Sequence, residues 1–134
     1  MSRATKSMAS KAVDWPAVLR FLPVFERSDF VFSEWITSAN TFPYCNYNDD
    51  VVAFMTALYD AGVVADFNWP DWQQDAEIFV ADRKKVAEAD LWTLQRLLTL
   101  HVRKERFCEG HLDAMLKSEH ITAILRRIAE IHSA

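Results

Sequence analysis

The sequence predicts an all-α protein, a compact and mainly helical domain with at most a short extended pair near residues 30–45. Apolar residues recur at helical spacing along several stretches, with polar residues on the opposite side. The 134 residues include only two Gly and four Pro, which leaves little material for the tight turns of an all-β fold. Since 51% of the residues are apolar, a chain of this length can bury a core without a disulfide or metal.

The N-terminal part predicts a flexible tail over residues 1–13, followed by the domain over residues 14–134. Asp14 can cap a short first helix, whose first turn tolerates Pro16. Pro23 limits this helix because proline lacks a backbone donor and clashes with the preceding turn.

An aromatic stretch without a clear helical period follows. The alternating residues DFVFSEWI suit a short strand or an extended arm. The next stretch, TFPYCNYN at residues 41–48, predicts a loop because Pro43 and two Asn interrupt it.

The following helix has the clearest boundaries. Asn48 is a good N-cap, and Asp49 and Asp50 place negative charge where the helix dipole favours it. Gly62 supplies a left-handed residue after the last turn.

The second half predicts a series of helices separated by identifiable capping residues. Pro70 fits the first turn of one helix, Asp82 caps a short turn and Asp90 caps the long helix after it. Gly110 marks a break in the Arg106–His111 junction. The last helices carry apolar stripes, which are predicted at Cys108, Leu112, Met115 and Leu116, and then at Ile121, Ile124, Leu125, Ile128 and Ile131.

Composition argues against several classes of function. The formal net charge of −4 disfavours a protein that binds nucleic acid by neutralising phosphates. No apolar run approaches the ~18 residues that a membrane span needs, so no membrane association is expected. Cys45 and Cys108 are far apart, which disfavours a disulfide and favours a reducing compartment. No glycine-rich phosphate loop, C-x-x-C or H-E-x-x-H is present, and no cofactor is predicted.

Candidate functional residues concentrate between residues 101 and 125, which hold three of the four histidines. Cys108 and His111 share a helical face, and thiolate plus imidazole suits zinc. The usual zinc signature has two close pairs of ligands, whereas His101 and His120 are isolated, so no metal site is predicted.

Charged residues at the same junction suggest two further possibilities. Glu109 beside His111 could form an acid–base pair, with Cys108 as a conceivable nucleophile. Arg106 is spaced for an ion pair with Glu109, whereas Glu105 is spaced to repel it. The alternative interpretation is a polar network that ties two helices together.

Aromatic loops form a third candidate feature. They can build a ligand pocket or a protein-binding hot spot, or they can be the lid that closes a small helical core. The residues concerned are Trp35, Phe42, Tyr44, Tyr47, Phe67, Trp69 and Trp72.

The segments LYDAGVV, FNWPDW, ADLWTLQRLLTLHVRKERFCEGHL and EHITAILRRI resemble a family of small bacterial proteins known only as a domain of unknown function. The resemblance implies a bacterial, cytoplasmic and mostly helical protein and implies no activity. It departs at Glu119, where the family pattern has Gly, and at Asn68, where it has Asp. The matching positions are Trp69, Pro70, Arg103, Arg106, Phe107, Cys108, Glu109, Gly110, His111 and His120.

The favoured hypothesis is therefore a non-enzymatic binding or regulatory module that recognises a protein partner. One alternative is a small hydrolase-like enzyme using Glu109 and His111, with or without Cys108. A second alternative is a small inhibitor protein from a phage or mobile element, and the oligomeric state is left open. The predicted binding residues are Arg103, Arg106, Glu109, His111, His120, Trp35, Tyr44, Trp69 and Trp72.

Overall fold

The computed structural model describes residues 12–133, and 60% of these residues are helical. This confirms the prediction of a mainly helical protein with a minor extended pair. Residues 1–11 of the predicted tail lie outside the described residues, and Val13 is half-buried against the core. The elements are α1 (Trp15–Leu19), α2 (Leu22–Phe25), β1 (Ser33–Ser38), β2 (Thr41–Tyr47), α3 (Asp49–Asp60), a 3₁₀ turn (Pro70–Trp72), α4 (Gln73–Ala81), α5 (Arg83–Ala87), α6 (Leu91–Lys104), α7 (His111–Lys117) and α8 (His120–Ser133).

Side-chain caps begin several helices where the sequence predicted them. The Asn48 side chain accepts from the Asp50 amide at 2.9 Å, and Asp90 accepts from the Thr93 amide at 2.8 Å. Each bond satisfies a backbone donor that a helix N-terminus otherwise leaves unpaired. Gly62 has φ 83°, which confirms the left-handed residue predicted after α3.

The two strands pair antiparallel as a hairpin, with Ser33 opposite Tyr47 and Trp35 opposite Cys45. The loop predicted over residues 41–48 was therefore wrong, because residues 41–47 are the second strand. Pro43 lies at an irregularity of the ladder, between the Ile36–Tyr44 and Ser38–Thr41 pairs, and proline is tolerated at such positions. The Cys45 amide, two residues on, donates outside the sheet to Glu109.

The core lies between α6 and α8 and extends under α1, α2, α3 and α7. Burying one Leu or Ile side chain stabilises the fold by roughly 1.5–3 kcal/mol, so the buried aliphatic side chains of this core supply much of the driving force for folding. On one side, the Phe25 ring meets Phe21 at 6.1 Å and Phe54 at 5.1 Å between centroids. The largest fully buried aliphatic side chains are Leu58, Leu94, Leu97, Leu98, Leu112, Leu116, Ile121, Ile124, Leu125 and Ile128.

The turn between α7 and α8 keeps a left-handed residue even though the chain has Glu at that position. Glu119 has φ 69°, a conformation that strains a side chain and that Gly adopts freely. Arg83 donates to the Ser118 carbonyl at 2.6 Å and fixes the turn against α5. Asn68 is the other position that departs from the family pattern. Its side-chain amide donates to the Asp71 carboxylate at 2.7 Å, whereas an Asp at position 68 would place two carboxylates together.

Across residues 12–133, none of the helices has the length and apolarity required to cross a bilayer.

Candidate functional site

The junction loop, residues 105–110, connects α6 to α7 and is organised by the carboxylate of Glu105. Its Oε1 accepts from the Leu112 amide and from the Tyr47 hydroxyl, both at 2.8 Å. Its Oε2 accepts from the Gly110 amide at 3.1 Å. Glu105 therefore caps the N-terminus of α7 and also holds the hairpin against it.

A second carboxylate, Asp113, continues this attachment inside the protein. The Ser33 hydroxyl donates to Asp113 Oδ1, and the Lys117 ammonium lies 3.0 Å from Oδ2. The Asp113 amide donates to the Tyr47 oxygen at 3.0 Å. Because the Asp113 carboxylate is almost fully buried, these partners offset the cost of removing its charge from water.

Burial changes the proton affinity of the hairpin groups in this network. It raises the pKa of the Tyr47 hydroxyl well above its ordinary value, and the hydrogen bond to Glu105 raises it further. Burial also raises the pKa of the Cys45 thiol. Both groups therefore stay protonated at neutral pH, and Cys45 is a poor nucleophile.

The acid–base pair suggested for Glu109 and His111 does not form. Glu109 is exposed and accepts from the Cys45 amide at 3.1 Å, whereas the His111 ring bonds to His101. The ion pair expected between Arg106 and Glu109 does not form either, since neither Arg106 nor Arg103 has an ion pair within residues 12–133. The junction is a polar network, but it is built on Glu105 and Tyr47.

The three histidines of this region form a continuous histidine chain, His111–His101–His120. His101 Nδ1 lies 2.9 Å from His111 Nε2, and His101 Nε2 lies 3.0 Å from His120 Nε2. His101 is on α6 and is only 1% exposed, whereas His111 and His120 begin α7 and α8. The histidine chain therefore joins α6, α7 and α8 through both ring nitrogens of His101.

Burial keeps these rings neutral. It lowers the pKa of His111 and of His120 from 6.5 to about 4, with smaller effects from Lys104 on the first and Arg83 on the second. Burial also lowers the pKa of His101 well below its ordinary value, and the two neighbouring rings add to the effect. A neutral imidazole has one donor and one acceptor nitrogen, which is what the central ring of such a chain requires.

The suggested Cys108–His111 pair meets only through the backbone, where the His111 amide donates to the Cys108 carbonyl at 3.0 Å. Cys108 is an exposed free thiol. Across the part of the chain that the structure describes, no three His, Cys, Asp or Glu side chains are placed to hold one metal ion. In the histidine chain, His101 directs its two nitrogens to different partners, so the three rings do not face a common point.

The aromatic residues are divided between the two roles considered for them. Trp35 and Tyr44 are each 45% exposed, while the Trp69 ring is half-buried and lies 6.1 Å from that of Phe107. Trp72 is half-buried beneath the Arg96 guanidinium, 4.6 Å away, and belongs to the structural lid.

Gly110 joins the hairpin to the junction loop through the absence of a side chain. Its φ is 91°, and a Cβ atom there would lie 2.6 Å from Cζ2 of Trp35. The Trp35 ring therefore packs directly on the glycine backbone. Pattern analysis could identify Gly110 as a break, but nothing in the local sequence indicates the ring that covers it.

Several residues of this network are not among those that the sequence predicts. The sequence places Glu105 only as a source of repulsion, and it does not single out Ser33 or Asp113. His101 is a candidate metal ligand there but is not one of the predicted binding residues. One local signal could have predicted that Glu105 caps a helix: it is an acidic residue shortly before Gly110 and the N-terminus of α7.

The fold and this junction define a small helical protein in which a β-hairpin is fastened to a helical junction above a buried histidine chain. The chain belongs to the family of unknown function DUF6508, whose model matches residues 10–134. No significant match was found among the curated proteins or among the solved structures.

Proposed function

We propose that this protein is a non-enzymatic binding module whose recognition surface is formed by the hairpin and the junction loop. The observation that supports this most is the exposure of large rings on both segments. Phe42 is 93% exposed and Phe107 is 80% exposed, beside the partly exposed Trp35 and Tyr44. Exposed aromatic side chains on a fixed scaffold are typical of protein-binding hot spots.

The scaffold beneath these rings supports the proposal because it is fixed before any partner arrives. Glu105 accepts from Tyr47 in the hairpin and from two amides at the start of α7. Glu109 accepts from the Cys45 amide, and Trp35 packs on Gly110. A surface that is ordered in advance loses less conformational entropy on binding.

The charges next to Phe107 indicate the chemistry of the partner. Arg103, Lys104 and Arg106 precede it, and none of the three forms an ion pair within the described residues. Unpaired cations beside an exposed ring suit a protein segment with an apolar anchor and flanking carboxylates. We therefore propose an acidic protein segment as the partner.

Affinity capture from source-cell lysate, followed by titration of the purified partner, tests this proposal. Phe107→Ala and Phe42→Ala should each weaken partner binding about 30-fold, the effect of a 2 kcal/mol hot spot. Arg106→Glu should also weaken partner binding, and its effect should be larger at low salt than at high salt. Tyr59→Ala is the matched control, because Tyr59 is 43% exposed on α3.

Retention of the partner by both phenylalanine variants would refute the recognition surface, as would an affinity that Tyr59→Ala lowers equally. If wild-type protein captures no partner that resists a competing wash, the binding function itself is wrong. Circular dichroism of each variant distinguishes a lost contact from a lost fold.

A reducing, cytoplasmic location is part of the proposal. Cys45 and Cys108 are both free, and Cys108 is exposed. Exposed free thiols persist where the surroundings are reducing. The resemblance to bacterial proteins makes the bacterial cytoplasm the proposed compartment.

A further inference from the structure

We propose that a cleft beside His111 binds a small molecule through its anionic oxygens, and that the histidine chain transmits this binding to His120 as a change of tautomer. The cleft lies between α4, α6 and α7 and has a volume of about 210 Å³. Drug-sized ligands usually occupy ~300 Å³ or more, so this cleft fits a smaller molecule. Lys104 lines this cleft and also precedes Phe107, but the inference does not depend on the recognition surface proposed above.

The hydrogen bonds of the histidine chain allow a change of tautomer at His111 to reach His120. Since His101 bonds through both nitrogens, it must donate to one neighbour and accept from the other. In one arrangement His111 Nε2 and His101 Nε2 carry the protons, which leaves His111 Nδ1 as an acceptor and puts a proton on His120 Nδ1. In the other, His120 Nε2, His101 Nδ1 and His111 Nδ1 carry the protons.

The two arrangements interconvert without leaving a charge in the core. One proton arrives from water at His111 Nδ1, each inner proton moves to the next ring, and one proton leaves His120 Nδ1 for water. Both outer nitrogens can exchange with water. Within residues 12–133, His111 Nδ1 and His120 Nδ1 form no hydrogen bond. Among the described residues, Arg96 Nε is the side-chain atom that is fully buried without a hydrogen-bond partner. Since the two histidine nitrogens are not in that category, they retain contact with solvent.

The cleft wall supplies the means to hold an anion. His111 and Lys104 line it together with the amide of Gln73, and Lys104 has no ion pair in the described part of the chain. Glu77 is the carboxylate on this wall, and Met115 lies among the apolar residues of the lining. An anionic oxygen at His111 Nδ1 accepts a hydrogen bond, which selects the arrangement with the proton on that nitrogen.

Binding is tested with acetate and with inorganic phosphate, added separately to protein labelled with ¹⁵N in its histidines and lysines. Either probe should shift the Lys104 and His111 signals with a dissociation constant of about 1 mM, the range of a small ligand with few contacts. The tighter probe shows whether the ligand class is a carboxylate or a phosphate. His120 should carry its proton on Nδ1 in the free protein and on Nε2 in the complex, although His120 is not part of the cleft.

Charge variants test the placement of the anion. Lys104→Met should weaken binding about fivefold, and Glu77→Gln should strengthen it about fivefold, as expected for one charge at roughly 4 Å in water. Lys85→Met is the matched control, because Lys85 is exposed on α5, outside the cleft. The ¹⁵N spectrum of the three rings verifies that each variant retains the histidine chain.

The proposed site is refuted if neither probe shifts Lys104 or His111, or if Lys85→Met weakens binding as much as Lys104→Met. The transmission is refuted if a bound probe leaves the His120 proton on Nδ1.

Discussion

Mild acid should destabilise this protein through its buried histidines, and His120 allows the size of the effect to be worked out. Burial lowers the His120 pKa from 6.5 to about 4 in the folded state. Between these values the unfolded chain binds a proton that the folded chain does not. The His120 contribution to stability is therefore fully present above pH 6.5 and is lost as the pH falls toward 4.

Linkage gives about 3 kcal/mol for the complete His120 loss and about 2 kcal/mol for the change from pH 8 to pH 5. The half-buried His111 has its pKa lowered to the same value and adds to this loss by a smaller amount, because water screens it. Most Asp and Glu side chains titrate below pH 5, so this window is dominated by histidine.

The assay is equilibrium unfolding in urea at pH 8, 7, 6 and 5, followed by far-ultraviolet circular dichroism. Wild-type protein should lose at least about 2 kcal/mol of unfolding free energy across this range. His120→Gln should be less stable than wild type at pH 8, because it loses a buried hydrogen bond. Its loss of unfolding free energy between pH 8 and pH 5 should be about 2 kcal/mol smaller than that of wild type. His132→Gln, at an exposed position of α8, is the control for removing a histidine outside the histidine chain. Equal slopes for wild type and His120→Gln would refute this reasoning.

Four substitutions test the backbone and the hairpin attachment, each by urea unfolding at neutral pH. Glu119→Gly should stabilise the protein by about 1 kcal/mol, because Gly relieves the strain of φ 69°. Gly110→Ala should destabilise it by about 2 kcal/mol or more, since its Cβ meets Trp35, whereas Gly62→Ala, with a similar φ and open space, should cost about 1 kcal/mol. Tyr47→Phe should cost about 1–3 kcal/mol, because it removes a half-buried hydroxyl with two hydrogen bonds.

Controls separate these causes. Glu119→Ala retains the left-handed strain and should give no gain, so an equal gain from Ala and Gly would contradict the strain argument. Equal losses for the two glycine variants would show that the Trp35 contact has no cost. Tyr44→Phe, which changes a half-exposed ring, should have almost no effect, and a loss equal to that of Tyr47→Phe would contradict the attachment.

The helices were predictable because each depends on residues close in sequence. Asn48 and Asp90 cap helices through amides two or three positions away, and Gly62 ends α3 through its own φ. The extended pair was predicted only coarsely, and residues 41–48 were assigned to a loop because Pro43 interrupts them. Proline is tolerated in a strand where the ladder is irregular, and that irregularity is set by pairing with β1.

The candidate site was only partly predictable because its bonds span long stretches of sequence. Tyr47 and Glu105 are 58 positions apart, and Ser33 and Asp113 are 80 positions apart. The histidines were correctly singled out as a group, but ligand spacing cannot distinguish a metal site from a hydrogen-bonded chain. Which nitrogen faces which ring follows from the packing of α6, α7 and α8.

The hairpin contributes little to the hydrophobic core, since Ser33 and Cys45 are its buried positions. Its hold on the helices rests on a few polar bonds formed by residues distant in sequence, such as Tyr47 with Glu105. It should therefore open as a separate cooperative unit, with hydrogen exchange of its amides faster than that of α6 and α8. Its docking should also be a late step in folding, since the groups that receive it exist only after α7 has formed.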